Sequence, residues 1–163
     1  MHLEGSCHCG KVRFSVEAHS PAPFMHCHCS ICRKTAGSGG FAINLGADAA
    51  SLKVRGRKHL RVYHAVLRED GERAARSPAG RHFCGECGSA LWLWDPRWPE
   101  LVHPHASAID TPLPTPPEVV EAALDFVPAW VDVPKGRGHV HCARWPDESL
   151  EEWHKRHRLW SGA

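Results

Sequence analysis

Seven cysteines in three short clusters constrain this chain more than any other feature of its sequence. The clusters are Cys7-His8-Cys9, Cys27-His28-Cys29-Ser30-Ile31-Cys32 and Cys84-Gly85-Glu86-Cys87. Zinc takes four cysteine thiolates in a closed structural site. Seven thiols fill one such site and leave three over. Three protein ligands with an open fourth position are typical of a catalytic zinc.

The spacing within each cluster suits metal binding. Alternate side chains of a strand point to the same side, so the sulfurs of Cys7-His8-Cys9 face one ion, as do those of Cys27-His28-Cys29. The Cys84–Cys87 pair is followed by Gly88, which can take a positive φ and turn backbone N–H groups toward the sulfurs. A single pair of this kind is also typical of redox proteins, but no thioredoxin-like βαβ pattern surrounds it. Three clusters together predict zinc, with disulfides or an iron–sulfur cluster as the alternatives.

Composition limits the class of protein. The chain has 163 residues, 42% of them apolar and 23% charged, which predicts one globular domain over 1–163. The formal charge of +2 is too small to indicate a nucleic-acid partner. The most basic stretch, Arg55–Arg61, lacks interleaved aromatic residues for base stacking and is interpreted as a solvated strand edge and turn.

No apolar run approaches the roughly 20 residues of a membrane span, and no signal peptide follows Met1, so we expect a cytoplasmic protein with no membrane partner.

Hydrophobic alternation predicts a mainly β fold. Apolar residues alternate with polar ones at Val12, Phe14 and Val16, at Phe41, Ile43 and Leu45, at Leu52 and Val54, and at Leu60 and Val62. The run Leu91–Trp94 predicts a strand buried on both faces, and most of the seven tryptophans are expected in the core.

Loops are predicted at 37–40, 70–72 and 77–80, and a proline-rich surface loop at 111–117. A short helix is predicted at 147–158, because Asp147 or Ser149 can cap it and its charges match the helix dipole.

The cysteine clusters, with their flanking residues, resemble the glutathione-dependent formaldehyde-activating (GFA) enzyme family, whose near relative is the centromere protein V family. The matching segments are Gly5–Gly10, His26–Lys34 and Phe83–Ser89, and the resemblance is strongest over residues 3–110. It implies small antiparallel sheets folded around zinc, the β-tent type. It also implies a structural zinc held by Cys7, Cys9, Cys84 and Cys87, and a second, catalytic zinc held by Cys27, Cys29 and Cys32.

The activity that the resemblance implies is the joining of formaldehyde to glutathione to give S-hydroxymethylglutathione, classed as a carbon–sulfur lyase reaction. A free thiol with a pKa of about 8.5 is only a few per cent thiolate at pH 7, and coordination at an open zinc position would deprotonate it. Arg33 and Lys34 are candidates for attracting the carboxylates of such a thiol, with a solvated surface pair as the alternative. The segment Gly37–Gly40 is a candidate backbone lining.

Two questions stay open from the sequence. The first is whether Cys142, His26, His139 or His141 closes the three-cysteine site, in which case the second zinc would be structural. The second is whether the chain is an enzyme at all, because a non-catalytic zinc module that binds nucleic acid or protein would carry the same ligands.

Overall fold

The computed structural model describes residues 1–67 and 74–161, so the loop predicted at 70–72 lies outside the described residues. Within these ranges the chain forms fourteen strands and two α-helices. The strands are β1 (His2–Ser6), β2 (Arg13–Ser20), β3 (Met25–Cys27), β4 (Ala42–Ile43), β5 (Gly46–Asp48), β6 (Lys53–Arg55), β7 (Leu60–Tyr63), β8 (Val66–Leu67), β9 (Ala75–Arg76), β10 (Gly80–Cys84), β11 (Ala90–Trp94), β12 (Leu101–Pro104), β13 (Val119–Ala122) and β14 (His139–His141). The helices are α1 (Ser30–Ala36) and α2 (Leu150–Arg156). The predicted mainly β class with a short C-terminal helix is confirmed.

Most strands join one antiparallel sheet. Its order is β1-β2-β5-β12-β11-β10-β7, and β6 also pairs with β2. A smaller sheet has the order β14-β13-β3-β4, and there β13 pairs in parallel with both β3 and β14. β8 and β9 form a separate two-stranded hairpin. The two parallel pairings differ from the small antiparallel sheets that the resemblance implied. They arise because β13, which comes late in the chain, pairs with β3, and β14 then pairs with β13.

The main core is built largely from strands of the larger sheet. Phe14 and Val16 on β2 are buried, as is Val12 just before the strand, in agreement with the hydrophobic pattern, and Ala18 continues the buried side of β2. Gly5 on β1 lies opposite Phe14, where an added Cβ would stand 2.4 Å from the Phe14 ring, so a side chain there would displace the ring. On β11, Leu91 and Trp92 are buried, whereas Leu93 and Trp94 are half-buried. The burial on both faces that was predicted for Leu91–Trp94 therefore holds only for the first two residues.

Helix α2 closes a second, smaller core. Ser149 caps it in a capping box with Glu152, so the helix begins at Leu150 and is shorter than the predicted 147–158. Trp153 is buried and stacks on Phe24, with ring centroids 3.8 Å apart and an interplanar angle of 4°. His154 is also fully buried, and its Nε2 accepts a hydrogen bond from the Ala22 N–H at 2.9 Å. The helix therefore anchors the C-terminal segment to the strand region around Phe24.

The expectation that most tryptophans lie in the core was wrong for three of them. Trp98, Trp130 and Trp145 are exposed, while Trp92 and Trp153 are buried. Amphipathic tryptophan rings are seldom fully buried, and composition does not indicate which ones are.

Replacement of Trp153 by alanine is expected to lower the free energy of unfolding by about 3–5 kcal/mol. The substitution removes the stack on Phe24 and the hydrogen bond from the indole Nε1 to Glu118. Urea unfolding of the metal-loaded protein measures the change. Trp130→Ala is the matched control, because Trp130 is 68% exposed and its loss should stay within about 0.5 kcal/mol of the wild type. Equal effects of the two substitutions would contradict this description of the second core.

Candidate metal centres

Four cysteines at the ends of β1 and β10 and in the turns that follow these strands form the first cluster. The Sγ atoms of Cys7, Cys9, Cys84 and Cys87 all lie within 4.8 Å of one another. The Cys7 and Cys9 sulfurs are 3.5 Å apart, and those of Cys9 and Cys84 are 3.8 Å apart. A tetrahedral zinc with Zn–S bonds near 2.3 Å requires S···S edges of about 3.8 Å. The donor set and its spacing therefore fit zinc, and all eight cysteines of the chain are free thiols.

Two similar tight turns present these four sulfurs. Cys7 follows β1 and Cys84 ends β10, and each turn closes at a glycine with positive φ, Gly10 at 71° and Gly88 at 74°. The Val12 N–H donates to the Cys7 sulfur at 3.2 Å. Gly88 thus has the positive φ that the sequence predicted. The strand geometry predicted for Cys7-His8-Cys9 is wrong, since these residues lie in the turn.

Ser89 links the two turns. Its hydroxyl lies 3.2 Å from the Cys87 sulfur and accepts a hydrogen bond from the His8 N–H at 3.0 Å. Hydrogen bonds from its side chain and backbone lower the pKa of Cys87 to about 5. Ser89 therefore favours the thiolate that a metal ion requires. Its role follows from the meeting of two segments that are distant in the sequence, so sequence reasoning alone did not identify it.

Cys27, Cys29 and Cys32 form the second cluster, with sulfurs again within 4.8 Å of one another. Cys27 ends β3, and Cys29 is the N-cap of α1, where its sulfur accepts a hydrogen bond from the Cys32 N–H at 3.4 Å. Helix α1 was not predicted, and the strand expected over Cys27–Cys29 ends at Cys27. The cause is the capping interaction, which turns the chain into a helix immediately after the strand.

No fourth side chain joins this cluster among residues 1–67 and 74–161. Cys142 packs instead against the second core. The His26 ring contacts Glu121 at 3.2 Å, His139 lies 3.6 Å from the same carboxylate, and the His141 Nε2 lies 2.8 Å from the Pro134 carbonyl oxygen. None of the four candidates for closing the site joins the three sulfurs.

The three thiols of the second cluster interact with one another. Hydrogen bonds from Cys27 and Cys32 lower the pKa of Cys29, and contacts with Cys29 and Cys32 raise the pKa of Cys27. The Asn44 side-chain amide points toward the Cys32 sulfur at 3.9 Å, and the Arg81 guanidinium adds a positive charge nearby. Asn44 and Arg81 were not identified from the sequence, because neither belongs to a motif and both reach the cluster by tertiary packing.

A groove of about 730 Å³ runs between α1 and the first cluster. The segment Arg33–Ser38, directly after Cys32, forms one wall, and the turns at Ser6–His8 and Gly88–Ala90 form the other. The three sulfurs of the second cluster are not among its lining residues. Arg33 is half-buried, and its Nε has no hydrogen-bond partner among the described residues. The groove thus places the positive charges of Arg33 and Lys34 next to the second cluster.

A second cavity of about 370 Å³ adjoins this groove and shares Thr35, Gly88 and Ala90 with it. Its lining is largely apolar but includes Arg81 and His105. Burial, assisted by the charge of Arg81, lowers the pKa of His105 to about 4, so this imidazole is neutral at pH 7. The two cavities together offer a polar groove that leads to an apolar pocket.

The remaining sequence predictions concern surfaces. The basic stretch Arg55–Arg61 runs from β6 through an exposed turn into β7. Residues 111–118 form neither helix nor strand. None of the helices in the described ranges is long and apolar enough to cross a bilayer.

Comparison with known proteins agrees with this architecture. The family described as "Glutathione-dependent formaldehyde-activating enzyme" matches residues 2–123. A Halomonas elongata protein named "Putative glutathione-dependent formaldehyde-activating enzyme" is 56% identical over 163 residues, which cover 99% of this chain and 100% of the relative. A crystal structure of a Rhodobacter sphaeroides protein superposes with a TM-score of 0.52 at 29% identity, covering 68% of this chain and 91% of that one. The chain belongs to the GFA family.

Proposed function

We propose that this protein is a zinc-dependent enzyme, of the carbon–sulfur lyase type, that forms or cleaves the S-hydroxymethyl adduct of a glutathione-like thiol with formaldehyde or a similar aldehyde. The observation that carries the proposal is a cluster of three sulfurs, with no fourth side chain among the described residues, beside a groove lined by Arg33 and Lys34. The name of the Halomonas elongata relative supports the same thiol and aldehyde.

In this proposal the two clusters have different roles. Cys7, Cys9, Cys84 and Cys87 would hold a structural zinc, because four sulfurs within 4.8 Å of one another supply all the ligands of a closed zinc site. Cys27, Cys29 and Cys32 hold the second zinc and are the catalytic ligands. A zinc ion held by these three sulfurs would favour loss of the proton from an incoming thiol. A reducing compartment such as the cytoplasm keeps these thiols from forming disulfides.

The reaction needs little from the protein beyond positioning and charge stabilisation. The thiolate sulfur attacks the carbonyl carbon and forms the C–S bond, while the carbonyl π electrons move to oxygen, which then takes a proton. The reverse sequence cleaves the adduct. Arg81 in the adjoining cavity is the cation that stabilises the developing negative charge on oxygen. Burial lowers the pKa of His105 to about 4, so at pH 7 its imidazole adds no positive charge beside Arg81.

Arg33 is expected to bind a carboxylate of the thiol substrate. Its side chain lines the groove, and Lys34 adds a second positive charge there. Hydrogen bonds to charged groups contribute about 1.5–3 kcal/mol, so Arg33→Gln should raise the KM for glutathione by about tenfold or more. The KM for 2-mercaptoethanol, which has no carboxylate, should change less than twofold.

Exchange NMR with ¹³C-formaldehyde measures the rate of adduct formation at several concentrations of each thiol, which gives the KM, and compares it with the spontaneous rate. Arg57→Gln is the control, because Arg57 lies on an exposed turn away from the groove's lining residues. Two results would overturn the proposal: no acceleration by the zinc-loaded wild type over the spontaneous rate, or equal effects of Arg33→Gln on the charged and the neutral thiol.

A further inference from the structure

Glu121 is a fully buried acid beneath the second cluster. It lies on β13, the strand that pairs with β3, and its side chain is 1% exposed. One carboxylate oxygen lies 2.8 Å from the His28 Nε2, and the other lies 3.2 Å from the His26 Nδ1. These two histidines flank Cys27 in the sequence. The carboxylate therefore contacts the chain on both sides of a proposed metal ligand.

His28 is fixed at three points. Its Nδ1 lies 3.1 Å from the Gly40 carbonyl oxygen, which can only accept, so Nδ1 carries a proton. Its Nε2 shares a hydrogen bond with Glu121, and its backbone N–H donates to the Ala122 carbonyl at 3.0 Å. Two of the three contacts come from β13. Since His28 stands between Cys27 and Cys29, these contacts fix the backbone that carries both sulfurs.

His26 is fixed on the other side of Cys27. Its ring stacks on Phe41, with centroids 4.0 Å apart and an interplanar angle of 8°, and contacts Glu121 at its edge. A buried carboxylate costs several kcal/mol unless its hydrogen bonds are satisfied. An apolar side chain would fill the same volume without that cost. The presence of an acid here therefore indicates a role in orienting its histidine partners.

We propose that Glu121 is a positioning residue for the three-cysteine cluster. Acting through His28 and His26, it holds Cys27 and Cys29 in the arrangement that retains a metal ion, and it contacts neither the metal nor the substrate. The inference rests on the proposed function only in that the cluster binds metal, and not on the thiol–aldehyde chemistry.

Zinc release from the loaded protein to a chromophoric chelator tests this proposal. Two release phases are expected, and Cys29→Ser identifies the phase of the three-cysteine cluster by its absence. Glu121→Met keeps the approximate volume but removes both hydrogen bonds, and we expect it to accelerate that phase by about 10- to 100-fold. Glu121→Gln keeps uncharged hydrogen bonds and should give an intermediate acceleration. The phase of the four-cysteine cluster should change less than twofold in both variants.

Glu118→Gln is the matched control. Glu118 precedes β13 and contacts Trp153 and Arg156 rather than the cluster, so its replacement should leave both phases within twofold of the wild type. Action through His28 is tested by His28→Gln, which should itself accelerate release. Glu121→Gln should then accelerate release less on that background than it does in the wild type, because only the His26 contact remains to be changed.

Three results would overturn the proposal. These are a single release phase in the wild type, an unchanged phase in both Glu121 variants, and equal acceleration of both phases with a lowered Tm, which would indicate a general structural role. Should Glu121→Met not fold, Glu121→Gln and His28→Gln still decide the question. The assay uses zinc and chelator alone. A wild type that lacks lyase activity but gives the expected release rates would therefore refute the proposed function and not this inference.

Discussion

Complete removal of metal is expected to unfold this protein. Cys7 and Cys84 are 2% and 0% exposed and belong to the main core, so the first cluster joins β1 to β10 from within that core. Structural zinc contributes on the order of 10–16 kcal/mol of apparent binding free energy. Typical domains are stable by only about 5–15 kcal/mol. Far-UV circular dichroism and thermal melting, recorded before and after treatment with a strong chelator, should show loss of the cooperative transition.

Single substitutions show that the unfolding is caused by loss of the first cluster. Cys84→Ser should abolish the cooperative melt of the protein as purified. Cys142→Ser should leave the Tm within a few degrees, because Cys142 is half-buried and lies outside both clusters. A metal-free wild type with an unchanged melting curve would contradict the structural role of the first cluster.

Replacement of Cys29 by serine is expected to remove activity while leaving the fold intact. Serine is a favourable N-cap, so α1 keeps the hydrogen bond that Cys29 now accepts from the Cys32 N–H. The cluster, however, falls to two sulfurs. Replacing a residue that hydrogen-bonds to a metal ligand usually lowers activity by about 10- to 100-fold. Replacing the ligand itself should have a larger effect, so we expect the adduct-forming rate to fall by about 100-fold or more.

Exchange NMR and zinc analysis test this expectation together. Cys29→Ser should bind one zinc less than the wild type and keep its circular dichroism spectrum. Cys142→Ser again serves as the control and should retain both the metal and the rate. A Cys29→Ser protein that keeps its fold and its adduct-forming rate would mean that the second cluster takes no part in catalysis.

Local patterns in the sequence predicted the features that depend on local rules. The alternation of Phe14 and Val16 indicated β2, and Ser149 with Glu152 indicated the start of α2. The grouping of cysteines followed from the resemblance and agrees with the two sets of sulfurs in the structure. Gly88 was predicted to take positive φ because a metal-binding turn needs it, and it does.

Features that depend on long-range packing could not be predicted in this way. Glu121 reaches His28 because β13 pairs in parallel with β3, across more than ninety residues of sequence. Arg81 and Asn44 approach Cys32 from separate strand segments for the same kind of reason. Helix α1 has only seven residues and lacks an extended apolar repeat, so its formation depends on the cap at Cys29 more than on a pattern.

The central claim is that the second cluster binds a metal ion through three cysteines and leaves a position for an external thiol. Cobalt substitution tests it most directly, because the visible spectrum of cobalt reports its ligands. The account predicts two cobalt ions per chain, with glutathione changing the spectrum of one ion and Cys29→Ser abolishing that response. One cobalt ion per chain, or two ions whose spectra do not respond to thiol, would contradict it.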